Sequence, residues 1–296
     1  MPLLDSRWWP TLIARRPISA LLRGGLGNQL FIAVAASRLA ISQQTRLRLL
    51  HRDLPHGGLH VSKLLPARSD RYYETLAFRD RMRFAAASRH NFPRLLSVVA
   101  EQDVEYLNTS ECSGKYLFGY FQSGIEYSDL LDQTELEILS SLEDWRNAVS
   151  QATPVDSDDI VVHVRRGDYQ NRRTQRFHGL LDRRYFVRAV ELLRAGGATG
   201  RVVIVSDDPD GACQFLAELQ PTPALIQHHN DPIYALARLT LAKFLVICNS
   251  SFSWWGARLT RGAQIIAPES WYRDPLGPQG PQLPAWHKLE ATFDYD

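Results

Sequence analysis

A chain of 296 residues has room for two ordinary domains or one large α/β domain, and it can bury a real core. Hydrophobic residues at 45% and charged residues at 22% are those of a soluble globular protein, and a formal charge of +2 does not mark an obligate nucleic-acid binder. No apolar run approaches the ~20 residues that cross a bilayer, and Cys112, Cys213 and Cys248 stand too far apart for a disulfide framework or a zinc set, so a reducing, cytoplasmic setting is expected.

Residues 1–17 lack a continuous apolar segment and carry Asp5 and Arg7 early, which reads as a tail and not a signal peptide. Its Trp8, Trp9, Arg15 and Arg16 suit either a packing arm or peripheral contact with the inner face of a membrane. Ile18 to Leu22 then reads as a strand, and GGLGNQ leads into an apolar helix from Leu30 to Ile41. Residues 45 to 150 show no steady period: Arg-rich stretches alternate with short apolar ones such as LLSVVA and YLFGYF, with helix expected near 129–150. QATPVDSDD, 151–159, has the composition of a linker, which places a boundary near 152. Beyond it the pattern is regular. Strands at 160–164, 201–205, 224–227, 244–248 and 264–266 alternate with helices at 183–195, 210–219, 232–242 and 252–260, the pattern of a parallel, Rossmann-like sheet. The expectation is α/β, with an N-terminal domain at 18–152 on the acceptor side, a nucleotide-binding domain at 153–296, and a cleft between them.

Two strands end in turns suited to anions. In IVVHVRRGD, alternation puts His163 and Arg165 on one face and Arg166 on the other, so Arg165 can clamp a diphosphate while Arg166 pairs with a carboxylate such as Asp168 or Asp182. In FLVICNSSFSWW, Asn249, Ser250, Ser251 and Ser253 open a helix, where backbone N–H groups and the dipole favour an anion and the same side chains favour capping. Trp254 and Trp255 read as core or wall. GGLGNQ offers Gly25 for close backbone approach, and Asn28 and Gln29 as hydrogen-bonding amides. In VSDDPD, Asp207 and Asp208 follow a strand, and a carboxylate there can accept the N–H donors of a guanine or bind a divalent ion; Asp208 and Asp210 match a D-x-D metal pattern, as do Asp156 and Asp158. Thirty of the 34 basic residues are Arg; base composition accounts for that excess as a whole.

In order, GGLGNQLF, FGYFQS, HVRRGDY followed by FHG, VSDD and NSSFSWWGARL resemble the α-1,2-fucosyltransferase family of bacteria and animals, over about residues 18–272. HVRR with a following Asp is also similar to a motif of α-1,6- and protein O-fucosyltransferases. The resemblance implies an inverting transferase that uses GDP-fucose as donor, has two Rossmann-like domains facing a cleft (a GT-B-type architecture) and needs no metal. Its acceptor would be a galactose-terminated oligosaccharide or glycolipid. By that similarity Arg165 holds the β-phosphate, His163 and Asp208 the guanosine end, Ser250 and Ser251 the diphosphate, and Asn28 the sugar-phosphate side. Ile32 departs from the family's Gln. The loop YQNRRTQRF, 169–177, contains no carboxylate, so the family's base does not carry over; Asp168 and His178 are the candidates, with Asp168 preferred. Two rival readings stand beside this one: a metal-dependent nucleotide-sugar transferase using Asp208 and Asp210, and a binding protein without turnover.

Overall fold

The computed structural model describes residues 15–52, 58–87, 98–101, 114–122, 127, 130–152, 156, 158–167, 169, 172–219, 224–225, 231–274 and 280–294. It divides into two compact units, Met1–Ser141 and Leu142–Asp296, each with its own parallel sheet.

The first unit carries β1 (Ile18–Leu21), β2 (Leu47–His51), β3 (Arg71–Thr75), β4 (Val98–Ala100) and β5 (Tyr116–Phe118), in the order β3-β2-β1-β5-β4. Between β1 and β2 runs α1 (Leu26–Ser42), a helix buried over most of its circumference, as befits a run with almost no charge. α2 (Val61–Leu64), α3 (Phe78–Ala87) and α4 (Gln133–Ser141) complete the helices described in this unit. α4 starts in a reciprocal cap: Asp132 accepts from the Glu135 N–H at 2.9 Å and Glu135 accepts from the Asp132 N–H at 2.8 Å.

Strands β2, β3 and β5 escape sequence detection for a visible reason. Arg48 sits in the middle of β2, in register with Ser19, which is itself opposite Tyr116. Its guanidinium donates to Ser19 Oγ at 3.1 Å, to Tyr116 Oη at 3.0 Å, to Asp80 at 3.3 Å and to Glu74 at 3.2 Å. A cation that is fully partnered can occupy a core strand that the hydrophobic pattern alone would disallow.

The second unit opens with α5 (Glu143–Ala152) and carries β6 (Ile160–Val164), β7 (Val202–Ser206), β8 (Ala224–Leu225), β9 (Phe244–Val246), β10 (Gln264–Pro268) and β11 (His287–Leu289). Its helices are α6 (Arg172–Phe177), α7 (Arg183–Ala195), α8 (Pro209–Phe215), α9 (Pro232–Thr240) and α10 (Ser251–Leu259). The strand order β8-β7-β6-β9-β10-β11 is, counted from β6, the 3-2-1-4-5-6 order of the Rossmann fold. β6 is buried along its whole length, which is why its bounds coincide with the sequence reading. Trp254 and Trp255 are fully buried, the Trp254 indole donating to the Pro281 carbonyl at 2.6 Å. Behind them Gly256 is packed so closely that a Cβ there would lie 2.6 Å from the Leu239 side chain, which sets the spacing of α9 and α10.

The single helix expected over 129–150 is two, broken at Leu142, and the units part there and not near 152. α5 belongs to the second unit because it packs on α9. β11 is an element the sequence reading lacks altogether. The tail expected over residues 1–17 lies mostly outside the described residues; Arg15, at its edge, donates to the Gln43 carbonyl at 2.8 Å, at the C-terminal end of α1.

Candidate functional site

The Rossmann order reverses between β6 and β9, and in such sheets ligands sit beyond the carboxyl ends of the strands at that switch point. Val162 pairs with Val246, so the two chains leave the sheet side by side, one as Arg165 and Arg166, the other as Cys248, Asn249 and Ser250. On the far side of β6, Val164 pairs with Ser206, so the next residues face each other in register: Arg165 opposite Asp207, Arg166 opposite Asp208. Both ion pairs form. Arg165 Nη1 lies 3.2 Å from the Asp207 carboxylate and Arg166 Nε 3.6 Å from that of Asp208. These carboxylates, and not Asp182, partner the arginines; Asp182 caps α7 by accepting the Arg184 N–H at 2.8 Å.

Asp207, which the sequence offers beside Asp208 but which the residue-by-residue reading leaves out in favour of Asp208, is brought to the same turn. Its other oxygen accepts the Arg166 backbone N–H at 2.9 Å, and its carboxylate lies where a Cβ on Gly167 would be, 2.3 Å away. Only glycine fits at 167 while Asp207 holds this position. The signal was present in the strand register, which sets RR of one motif against DD of the other. Arg165 also lies over the Tyr169 ring, 5.9 Å from its centroid.

His163 is buried at 3% exposure, its Nδ1 3.2 Å from Cys248 Sγ and its ring 5.4 Å from that of Phe252. Burial pushes the imidazole down to about 4 and the Cys248 thiol up to about 12, so at neutral pH the pair is uncharged, a tie between β6 and the turn after β9. The Arg165 backbone N–H adds a hydrogen bond to the same sulfur. Cys213 and Cys248 are both free thiols.

At the start of α10, Ser250 caps by accepting the Phe252 N–H at 3.3 Å, and Ser251 is the half-buried first residue of the helix. Ser253 is turned inward: it is wholly buried and its hydroxyl lies 3.0 Å from the Cys248 carbonyl and 3.1 Å from that of Ser250. Asn249 is a fastener, donating to the carbonyls of His178 at 2.9 Å and Trp271 at 3.2 Å, while its own carbonyl accepts from Tyr169 Oη at 2.9 Å. His178 is thereby placed beside the switch point, in an aromatic cluster with Tyr169 (centroids 5.3 Å apart), Phe177 (4.9 Å) and Tyr272 (5.6 Å). Asp168 lies outside the described residues.

Asp208 caps α8 by accepting the Gly211 N–H at 3.2 Å as well as pairing with Arg166. A cation would have to compete with both, and among the described residues no group of three or more His, Cys, Asp or Glu side chains is arranged to hold a metal. The other D-x-D match is at the opposite, amino-terminal end of the strands: Asp158 pairs with Lys243 at 3.5 Å, and the neighbouring Asp159 clips Arg201 at 2.7 Å where β6 and β7 begin.

In the first unit the order reverses between β1 and β5, and the glycine turn stands there. Gly24 has φ +69, and a Cβ on it would meet the Asn28 amide at 2.6 Å; Gly25, with φ −71 and open space around it, caps α1 without either constraint. Asn28 Oδ1 accepts from Gln122 at 2.8 Å. Gln29 is turned inward at 1% exposure, donating to the Gly24 carbonyl at 3.0 Å, and so serves the turn itself. Glu101 holds the facing loop by accepting the N–H groups of Tyr120 at 2.8 Å and Gln122 at 2.9 Å. Arg23 lies over Phe118 and Tyr120, 4.8 and 5.1 Å from their ring centroids.

Comparison with known proteins agrees with this architecture. An α-1,2-colitosyltransferase of Escherichia coli is 26% identical over 297 residues, spanning 92% of this chain and 99% of its own. A bovine galactoside 2-α-L-fucosyltransferase, SEC1, is 32% identical over 142 residues, 45% of this chain and 39% of its own length. Among solved structures, the fucosyltransferase NodZ from Bradyrhizobium superposes with a TM-score of 0.53 at 10% identity, covering 83% of this chain and 94% of its own, which shows a shared GT-B-type α/β fold. The model of Glycosyl transferase family 11 matches residues 97–290, from β4 to beyond the last strand, and the chain belongs to that family.

Proposed function

We propose that this glycosyltransferase moves L-fucose from GDP-fucose to the 2-hydroxyl of a terminal galactoside, in an oligosaccharide or glycolipid, with inversion. The supporting observation is the placement of Arg165: held by Asp207 at 3.2 Å, it leaves β6 beside the Ser250-capped start of α10, at the switch point of a Rossmann-ordered sheet. In fucosyl transfer, positive character builds on the sugar while negative charge collects on the departing diphosphate. Donors fixed in advance where that charge develops act on the largest catalytic term. Arg165, whose Nη1 lies 3.2 Å from Asp207, and the hydroxyls of Ser250 and Ser251 supply them. Asp208 takes the guanine end. Asp168 or His178 removes the acceptor proton from the opposite face of the sugar. No metal takes part, so full activity in excess EDTA is expected; activity restored only by Mg²⁺ or Mn²⁺ would move the reading to Asp208 and Asp210.

The deciding experiment is an acceptor screen with labelled GDP-fucose, in which a β-galactoside gains one α-1,2-linked fucose. GDP binding without transfer to any acceptor would leave a binding protein. The colitosyltransferase relative spans nearly the whole chain, so nucleotide-activated colitose is the second donor to test.

A further inference from the structure

α3 presents an inverted helix. Its inner face carries Asp80, 1% exposed and bound to Arg48 and Tyr116, and Phe84, 4% exposed against Tyr116 and Phe118. Its outer face carries Phe78 at 77% exposure and, one turn on, Met82 at 57%. A solvent-facing helix surface is ordinarily polar, and an exposed Phe–Met pair at i, i+4 is a surface built to be covered. Exposed Arg79 and Arg81 flank the pair, and neither is ion-paired with a described residue. The helix's own Asp80 is buried, and Glu74 of β3 pairs with Arg48 at 3.2 Å. The sequence that follows, SRHNFPRLLS, adds Arg89 and Arg94 and no acid.

We propose that the outer face of α3 docks on an anionic lipid surface. Phe78 and Met82 enter the headgroup boundary while Arg79 and Arg81 meet lipid phosphates. Apolar anchors ringed by arginines match the layered chemistry of an anionic membrane, and the charge selects it over a neutral one. The inference concerns the first unit's surface and stands apart from the reading of Arg165.

The test is co-sedimentation of the full chain with vesicles of phosphatidylglycerol and phosphatidylcholine in equal parts, beside vesicles of phosphatidylcholine alone. Binding to the anionic vesicles only, weakening as salt rises, is expected. Phe78→Ser with Met82→Ser, and separately Arg79→Glu with Arg81→Glu, should each lower the bound fraction about tenfold or more while thermal unfolding stays cooperative; paired substitution of exposed side chains leaves the core intact. Absence of wild-type binding, or equal binding by the variants, overturns the proposal. So does a concentration-dependent dimer that the Ser variant abolishes without any vesicle binding, since a second copy would then be the occupant.

Discussion

The two switch points of this molecule are built from different materials. In the second unit, fixed charges stand at the strand ends: Arg165 and Arg166 face Asp207 and Asp208 across β6 and β7, and each cation is aimed by its partner. In the first unit, backbone and amides do the positioning: a glycine turn, the Gln29 side chain behind it, the Asn28–Gln122 hydrogen bond and Arg23 laid on two aromatic rings. Charge held by charge in a half-buried setting is suited to a ligand whose charge changes during reaction. Amides and rings suit recognition of neutral hydroxyl-bearing surfaces, where direction matters more than field. On the proposed reading, substitutions at the second switch point act on donor binding and turnover, and those at the first act on the fold of the turn and on acceptor recognition.

The sharpest test is Arg165→Lys. A lysine retains the charge and loses the planar fork, so transfer should fall by about 2–4 kcal/mol of barrier while far-UV circular dichroism and the unfolding midpoint stay close to wild type. Turnover near the wild-type rate would take Arg165 out of the chemistry and leave it as the partner of Asp207.

Next in size is a pH effect confined to the second unit. Burial lowers the His163 imidazole from 6.5 to about 4. Between those values the unfolded chain binds a proton that the folded chain does not, so this stability is complete above the ordinary histidine range and is lost as pH falls toward about 4. The loss is on the order of 1–3 kcal/mol for full traversal of the window. Denaturant unfolding of wild type and His163→Gln at pH 7 and pH 4.5 measures it: the wild type should lose more stability on acidification than the variant. Parallel pH slopes would mean that His163 does not stay neutral in the fold.

How much of this was readable beforehand follows the same division. β6, α7 and the start of the second sheet's alternation were legible because strands buried on both faces are apolar throughout and the helices between them carry a clear amphipathic period. That Arg165 and the Ser250 turn stand at the carboxyl ends of neighbouring strands was legible because they terminate such apolar runs. Asp207 was not, since choosing between two adjacent carboxylates needs the register of β6 against β7, a tertiary fact. β2, β3 and β5 were hidden by Arg48, Arg71 and Tyr116, polar residues that the core accepts only because partners distant in sequence satisfy them; Arg71, for instance, pairs with Glu137. Gln29 and Ser253 looked like ligand groups and are turned inward, because a polar side chain beside a tight turn satisfies the turn's own backbone first.

A smaller effect separates the two glycines of the first turn. Gly24→Ala puts a Cβ 2.6 Å from the Asn28 amide at φ +69, and should cost about 1–2 kcal/mol in denaturant unfolding. Gly25→Ala meets open space at φ −71 and should stay within about 0.5 kcal/mol of wild type. Equal losses would mean that the turn is held by something other than the geometry at Gly24.

The smallest effect on stability, and the one that best divides recognition from chemistry, is Asp208→Asn. Asparagine caps a helix as well as aspartate does, so α8 keeps its start, and the half-exposed pair with Arg166 at 3.6 Å contributes at most about 1 kcal/mol. The fold should scarcely register the change. GDP affinity should register it, falling about tenfold, because an amide nitrogen presents donors where the guanine also presents donors. Turnover at saturating donor should suffer less. Asp168→Asn makes the opposite pattern: GDP affinity stays level and kcat drops, since a base that takes the acceptor proton acts only in the transition state. GDP calorimetry beside steady-state kinetics on both variants reads the contrast. Unchanged GDP affinity in Asp208→Asn would move the guanine away from the end of β7, and normal turnover in Asp168→Asn would pass the role of base to His178, whose backbone is held by Asn249 and whose ring stacks on Tyr169, the ring that Arg165 also contacts.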